Sequence, residues 1–168
     1  TGLIPPGSNK QVSIDQYQVD EGFLDAMGLN LKAGRWFDPN RPMDDMSTPF
    51  PNDENAERVM AARGANVVMN ELAVKKLGFK SPQDAIGKTV RSELFSPGTG
   101  VMNLHIIGVV GDTRFRTVRT AIDPIMFNNT ESGQTHMIIR YNGDPATVSA
   151  AVERHWNQIT NKVPYNAE

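Results

Sequence analysis

The stretch from residue 67 to residue 112 constrains the fold most, because strand and helix signals alternate in it with clear boundaries. Residues 67–69 form a short apolar run, which predicts a buried strand. Asn70 is placed to cap a helix that follows at once, and Ser81, with a proline directly after it, begins a second helix. This alternation predicts a chain of the α+β class.

A β-hairpin is predicted at the end of the same stretch. Residues 89–95 and 101–112 read as two strands joined by a turn that contains Pro and Gly. In the second strand apolar residues first alternate with polar ones and then occupy both faces, at Ile107 and Val109. We therefore expect the far half of this strand to be buried on both sides.

The flanking regions predict further short elements. They are a strand over 11–19 with an irregularity near Asp15, a short helix over 23–27 ended by Gly28, strands at 125–127 and 137–141, and a long helix after Asp144. The long helix has an apolar stripe that includes Trp156, and we expect this stripe to be buried against the sheet. The predicted architecture is a mixed sheet with packed helices.

Residues 38–64 have a different composition, with four prolines among many acidic residues. They predict an insertion that ends in a short helix from about Asp53 to Arg63, stopped by Gly64. Few large apolar side chains lie in residues 39–52, so we expect these to be exposed, mobile and dispensable for folding.

Composition excludes several classes of function. The 168 residues include 17 basic and 19 acidic side chains, for a net charge of −2, and such a balance argues against a nucleic-acid-binding surface. The absence of cysteine excludes a disulfide scaffold, a cysteine–zinc site and a thiol nucleophile. No apolar run approaches the roughly 20 residues that span a bilayer. Because the chain begins at Thr1, we expect it to be a piece of a longer polypeptide.

No metal site or catalytic constellation is predicted. His105, His136 and His155 have no ligand spacing and are interpreted as surface or rim residues. Asp44 and Asp45 lack the alternating oxygen ligands and the glycine of a calcium loop, so we interpret them as a solvated loop.

The glycine, arginine and asparagine motifs are interpreted as structural. Residues 96–100 are glycine-rich but lead into a strand, which favours a hairpin turn over a phosphate loop, and the pair Gly108 and Gly111 is only half of a dinucleotide fingerprint. Arg35, next to a glycine, is interpreted as a salt-bridged turn residue. The remaining candidates are an anion-binding cluster of Arg114, Arg116 and Arg119 with Phe115 between them, and a chance glycosylation motif at 128–130. For the cluster we favour Phe115 as an anchor packed under its loop. The prediction is therefore no catalytic, cofactor-binding or metal residue, with substrate-binding residues unknown.

The order of short motifs along the chain resembles a known family. The series is FLDAMG at 23–28, AGRWF at 33–37, the acidic insertion, VMNE at 68–71, AIGK at 85–88, IIGVVGD at 106–112 followed by Arg-Phe, Asp-Pro at 123–124, Gly-Asp-Pro at 143–145, Trp156 and Val-Pro at 163–164. Each motif is common by itself, but the ordered set resembles the periplasmic core domain of MacB-like and FtsX-like ABC-transporter permeases.

This resemblance implies a fold, a location and a set of partners. The fold would have two lobes, a porter-like α/β lobe and a smaller strand-rich inserted lobe at about 65–120, within a core-domain fragment that spans 1–168. The domain would lie on the extracytoplasmic face of the bacterial inner membrane. Its partners would be the permease's own transmembrane helices, a second permease copy, a separate or fused cytoplasmic ATPase, and a periplasmic adaptor or substrate protein.

Three functions follow from these observations as hypotheses. The first is a non-catalytic module that couples cytoplasmic ATP hydrolysis to efflux, lipoprotein extraction or periplasmic signalling. The second is a stand-alone periplasmic ligand-binding module, for which we would expect a concave apolar pocket. The third is a hydrolase whose catalytic residues form no recognised motif.

Overall fold

The protein is described from a computed structural model that covers residues 1–49, 51, 53–95, 98–117, 119–131, 135–160 and 163–166. The chain divides into two compact units, Thr1–Met137 and Ile138–Glu168. The predicted smaller lobe at 65–120 lies within the first unit, and its assignment as a lobe stays a prediction.

The first unit contains short strands and helices in an alternating order. In chain order they are β1 (Gly2–Leu3), β2 (Val12–Ser13), β3 (Asp15–Val19), α1 (Phe23–Met27), β4 (Leu31–Gly34), a 3-10 turn (Pro42–Asp44), α2 (Glu54–Arg63), β5 (Ala65–Asn70), α3 (Glu71–Lys76), α4 (Pro82–Ala85), β6 (Thr89–Ser92), β7 (Met102–Val110) and β8 (Ile125–Asn129). The second unit contains α5 (Pro145–Ile159).

A mixed sheet organises the first unit. Within the described residues its strand order is β3-β8-β5-β7-β4, and β6 pairs with another part of β7. The pairs β3–β8 and β5–β7 are parallel, whereas β5–β8, β4–β7 and β6–β7 are antiparallel. The α+β class with a mixed sheet is thereby confirmed, and so is the predicted β6–β7 hairpin pairing.

Side chains from the two faces of this sheet form two hydrophobic clusters. In β5, Val67 and Met69 belong to one cluster and Val68 to the other, as the alternation of side chains along a strand requires. In β7, Ile106 belongs to the first cluster and Val110 to the second, although regular alternation would place both on one face; the change of face follows the register shift of β7 opposite Val67 and Val68. The last three residues of β7 are all buried, which confirms the prediction that this half of the strand is covered on both sides.

Helix boundaries follow the capping signals in the sequence. The side chain of Asn70 accepts a hydrogen bond from the amide of Ala73 at the start of α3, and Ser81 caps α4 in the same way. Helix α1 ends at Gly28, whose φ of 65° is the left-handed conformation that glycine adopts most readily. Helix α2 has Asp53 as its cap and ends before Gly64, as predicted.

The predictions for the second unit are confirmed only in part. Helix α5 begins where expected, with the carboxylate of Asp144 accepting from the amide of Thr147. None of its residues is buried, however, and Trp156 is only half-buried, so the predicted burial of this side chain is wrong. Residues 137–141 are all described and belong to no strand, so the strand predicted there is also absent. A strand forms only where a neighbour supplies the hydrogen bonds, and the amino-acid pattern of one segment cannot guarantee that neighbour.

Candidate functional site

The loop between β7 and β8, residues 111–123, lies where α/β proteins commonly bind ligands. Parallel strands β5 and β7 both end at this edge of the sheet, at Asn70 and Val110. Strand β8 is antiparallel to β5 and begins at the same edge, at Ile125. Ligand sites in such sheets lie outside the carboxyl ends of the parallel strands. This edge is therefore a candidate functional site.

The polar residues at this edge join the loop to the sheet and to α3. The buried side chain of Asn70 accepts hydrogen bonds from the amides of Ala73, at 3.0 Å, and of Ile125, at 2.8 Å, and donates to the carbonyl of Asp123 at 2.8 Å. Asp112 accepts from the amide of Leu72 at 2.9 Å. These hydrogen bonds connect the loop, the sheet and α3, so the role of Asn70 and Asp112 is structural.

Arg114 and Arg116 of this loop contact different parts of the protein. Arg116 forms ion pairs with Asp15 at 3.4 Å and with Asp123 at 3.2 Å. Its pKa is raised by a hydrogen bond with the Tyr17 hydroxyl and by these two carboxylates. Arg114 donates to the carbonyl oxygen of Thr120 instead. Because these two guanidinium groups bind protein oxygens, they hold the loop in place and leave it with a basic surface.

Phe115 anchors this loop, as the sequence predicted. Its ring lies 5.3 Å from Tyr17, 5.9 Å from Phe23 and 6.1 Å from Phe127, measured between centroids. These aromatic contacts belong to the second hydrophobic cluster of the sheet. The recess beneath the loop has room for about one water molecule. The described residues of the loop therefore leave no recess large enough for a small-molecule ligand beneath Phe115.

A second organised region is the loop that follows β4, which was predicted to be solvated. The Asp44 carboxylate is buried and receives both terminal nitrogens of Arg35, at 2.5 and 2.9 Å. It also accepts from the Asn66 carboxamide at 2.6 Å and from the Asp38 amide at 2.9 Å. The predicted solvated carboxylate is therefore wrong for Asp44, although Asp45 is exposed as expected. The interpretation of Arg35 as a salt-bridged residue is confirmed.

These contacts determine the protonation state of Asp44. Burial alone would raise the pKa of the Asp44 carboxyl, since it disfavours the charged form. The hydrogen bonds from Arg35, Asn66 and the Asp38 amide outweigh burial and lower the pKa below its ordinary value. The pKa of Arg35 is raised, with the hydrogen bond to Asp44 as the first cause. The pair is therefore ionised at neutral pH.

The rest of the same loop is also attached to the sheet. The amide of Met46 donates to the carbonyl of Asn129 at 2.9 Å, and the Met46 side chain is buried in the first hydrophobic cluster. Arg63 donates to the carbonyl of Asp45 at 2.6 Å. The prediction that residues 39–52 are exposed is wrong at Asp44 and Met46, which are buried, while Phe50 and Asn52 lie outside the described residues. That the segment is dispensable for folding stays a prediction. No local sequence signal identifies these contacts, because their partners are distant in the chain.

The structure also places the other residues considered in the sequence. The ring of His105 contacts the Thr89 hydroxyl at 2.9 Å, His136 contacts Thr135, and His155 is exposed on α5. Among the described residues, no three His, Cys, Asp or Glu side chains come close enough together to hold a metal ion.

The glycine and asparagine motifs have structural positions. A Cβ atom on Gly108 would lie 2.1 Å from the carbonyl oxygen of Arg35, so the glycine permits the close approach of β4 and β7. Asn128, Asn129 and Thr130 are buried, which makes the glycosylation motif inaccessible in the folded chain. Of the glycine-rich turn at 96–100, Ser96 and Pro97 lie outside the described residues.

Neither a membrane-spanning helix in the described residues nor a sequence match to a known family identifies this chain. Across the helices in the described part of the chain, none is long and apolar enough to cross a membrane. No model of a known protein family matches the sequence, and no curated protein matches it either.

Two solved structures are similar in fold. The periplasmic region of MacB from Actinobacillus actinomycetemcomitans matches with a TM-score of 0.56 and 18% identity, over 96% of this chain and 63% of that one. A domain of a protein described as a permease from Porphyromonas gingivalis matches with a TM-score of 0.53 and 16% identity, over 94% of this chain and 64% of that one. The chain thus spans somewhat less than two thirds of either structure, and it has the α+β fold of the periplasmic region of MacB.

Proposed function

We propose that this chain is a non-catalytic extracytoplasmic domain of an ABC-transporter permease. The observation that supports this most is the similarity of fold to the periplasmic region of MacB over 96% of the chain. The order of the sequence motifs favours the same class of domain. The two lines of support are separate, since one rests on short motifs and the other on the path of the backbone.

In this proposal the domain transmits mechanical motion from the membrane helices to an extracytoplasmic partner. Closure of cytoplasmic ATPase domains moves the transmembrane helices of the permease, and these move the outer domain against a second permease copy, an adaptor or a substrate protein. Such mechanotransmission needs a rigid body, and the first unit has the features of one. The ion pair of Arg35 with the buried Asp44 carboxylate braces the 38–47 loop, and Asn70 joins the 111–123 loop to β5 and α3.

The most suitable contact surface on the first unit is the 111–123 loop. Most of its described residues are exposed, it carries arginines, and it is anchored by Phe115 in the aromatic cluster. Arginine and aromatic residues are enriched where proteins bind one another. Efflux, lipoprotein extraction and signalling all remain hypotheses for the output of the motion.

The proposal is tested by deletion in the complete transporter. Cells carrying the permease without residues 1–168 should lose transport or signalling, while permease abundance stays normal and the ATPase still hydrolyses ATP at a basal rate. Full physiological activity without the domain would contradict the coupling role.

A surface variant separates this proposal from the ligand-binding alternative. Arg119→Glu alters the exposed loop surface without touching the buried contacts described above. It should weaken coupling in the transporter and leave the thermal stability of the isolated chain unchanged. High-affinity binding of a small molecule by the isolated chain, with normal transport by the deletion strain, would instead support a stand-alone binding module.

A further inference from the structure

We infer that segments 1–14, 72–83 and 87–92 form a basic surface that binds a bilayer containing anionic phospholipids. These three segments, which we call the lysine surface, all belong to the first unit. The inference goes beyond the coupling role proposed above. It is tested on the isolated chain, so that it can fail while the coupling proposal stands.

The first observation is that positive charge is concentrated in these segments. They contain six of the chain's 17 basic side chains and none of its 19 acidic ones. The six residues are Lys10, Lys75, Lys76, Lys80, Lys88 and Arg91, and all are exposed. The net charge of −2 for the whole chain therefore conceals a local excess of positive charge.

The second observation is that the fold brings the segments together around the β1–β2 hairpin. The amide of Ile4, just after β1, donates to the carbonyl of Arg91 in β6 at 2.8 Å, and the Arg91 amide donates back to the carbonyl of Ile4 at 3.0 Å. The Arg91 guanidinium donates to the carbonyl of Ser8 at 3.3 Å. The Lys76 ammonium donates to the carbonyl of Ser13 at 2.9 Å. Cations from β6 and from α3 thus lie against the same hairpin.

The other lysines belong to the same hairpin or to the helices next to it. Lys10 lies between β1 and β2, Lys75 is in α3, Lys80 lies between α3 and α4, and Lys88 follows α4. Helices α3 and α4 contact each other. In the described part of the chain, none of the ion pairs involves a residue of the lysine surface. A group of like charges without nearby counter-charges attracts an external anion.

The kind of cation favours lipid over protein as that anion. Five of the six basic residues are lysines, whereas the 111–123 loop has only arginines. Arginine is enriched and lysine depleted in protein–protein interfaces. A lysine ammonium is a compact charge on a flexible stem, which suits a fluid layer of headgroups better than one fixed geometry. Clusters of about four to eight basic residues are typical of surfaces that bind anionic lipids.

A second copy of the chain fits this surface poorly. In a dimer with two-fold symmetry the same surface of each copy meets its equivalent. The lysine surface would then face another lysine surface, and like charges brought together across an interface oppose binding. A bilayer with anionic headgroups provides the complementary charge instead.

Co-sedimentation with vesicles tests the inference. The 168-residue chain is mixed with vesicles of phosphatidylcholine alone, or of phosphatidylcholine and phosphatidylglycerol in equal parts. Binding to the anionic vesicles should be at least about 100-fold stronger, because each basic residue near an anionic surface strengthens binding roughly fivefold. Raising the salt concentration from about 0.1 M to about 1 M shortens the Debye length from about 10 Å to about 3 Å and should abolish this binding.

Two double variants locate the binding surface. Lys75→Gln combined with Lys80→Gln should weaken binding to the anionic vesicles by about 25-fold. The control combines Arg41→Gln with Arg119→Gln, which removes the same charge from outside the lysine surface. At about 0.1 M salt the control should weaken binding by less than about threefold, because screening limits the reach of each charge to about 10 Å. All four residues are exposed, so thermal unfolding of both variants should match that of the unaltered chain.

Three outcomes would overturn the inference. Equal binding to neutral and anionic vesicles would show that the lysines do not drive binding. Absence of binding to the anionic vesicles would leave an acidic protein as the partner of the lysine surface. Equal losses in the two double variants would show that binding follows the net charge of the chain and not this surface.

Discussion

Replacing Asp44 by alanine is expected to lower the free energy of unfolding by about 3 kcal/mol. The Asp44 side chain is 1% exposed and accepts hydrogen bonds from Arg35, Asn66 and the Asp38 amide. Alanine would leave all three donors without their acceptor. Breaking a fully buried pair costs roughly 3–5 kcal/mol. The Arg35 side chain is 33% exposed and can be partly hydrated, so the lower end of that range applies.

The pH dependence of this loss follows from the lowered pKa of Asp44. A carboxyl whose pKa is lower in the folded chain stabilises the fold above its unfolded pKa of about 3.9, and this contribution decreases as the pH falls through the folded value. Asp44→Asn should therefore be less stable than the unaltered chain at pH 7. The difference should shrink progressively below about pH 4.

Urea denaturation at pH 7, 5 and 3.5 measures both effects. Asp45→Ala is the matched control, because the adjacent Asp45 is exposed and its carboxylate accepts one hydrogen bond, from the amide of Ser47. We expect that control to lose less than about 1 kcal/mol. If Asp44→Ala changed stability by less than about 0.5 kcal/mol at pH 7, or if its effect were equally large at pH 3.5, the reasoning would be refuted.

Three further substitutions test other parts of the first unit. Gly108→Ala would place a Cβ atom 2.1 Å from a backbone oxygen and should destabilise the chain by more than about 2 kcal/mol in urea denaturation, whereas Gly22→Ala, with nothing nearer than 3.5 Å, should have little effect. Asn70→Ala should lower the free energy of unfolding by about 2–4 kcal/mol because it removes three hydrogen bonds, two of them buried, whereas the cap variant Ser81→Ala should lower it by about 1 kcal/mol. Equal losses would contradict the role of Asn70 beyond capping. Phe115→Ala should lower the free energy of unfolding by about 2–3 kcal/mol and speed amide exchange in the 111–123 loop. Unchanged exchange in that loop would show that the Phe115 ring does not anchor it.

Local structure in this protein could be predicted well because its causes lie within a few residues. The caps at Asn70, Ser81 and Asp144 were correct, since a capping side chain bonds an amide only two or three positions ahead. The end of α1 at Gly28 was correct for a similar reason, because the left-handed conformation depends mainly on the absence of a Cβ atom. The alternation of apolar residues also predicted which half of β7 is buried.

The candidate functional surfaces were only partly predictable. Phe115 was expected to anchor its loop, since a large apolar side chain among arginines gains free energy by packing into the protein. The ion pairs of Arg116 with Asp15 and Asp123 could not be foreseen, because Asp15 is 101 positions away in the chain. The motif series suggested the class of domain, yet it contained no information about which loop would present an exposed surface.

Tertiary structure alone decided the cases in which two local patterns were equivalent. Asp44 and Asp45 are adjacent and chemically identical. Only Asp44 accepts hydrogen bonds from the Arg35 guanidinium and from the side-chain carboxamide of Asn66, 22 positions away, and so becomes a buried anion. Residues 137–141 have the composition of a strand and form none among the described residues, because a strand exists only when another backbone lies beside it. The helix stripe around Trp156 is amphipathic by sequence, and burial requires an opposing surface that a stripe cannot specify. Propensity and capping act within one segment of the chain, whereas burial and pairing depend on contacts between segments that only the folded molecule brings together.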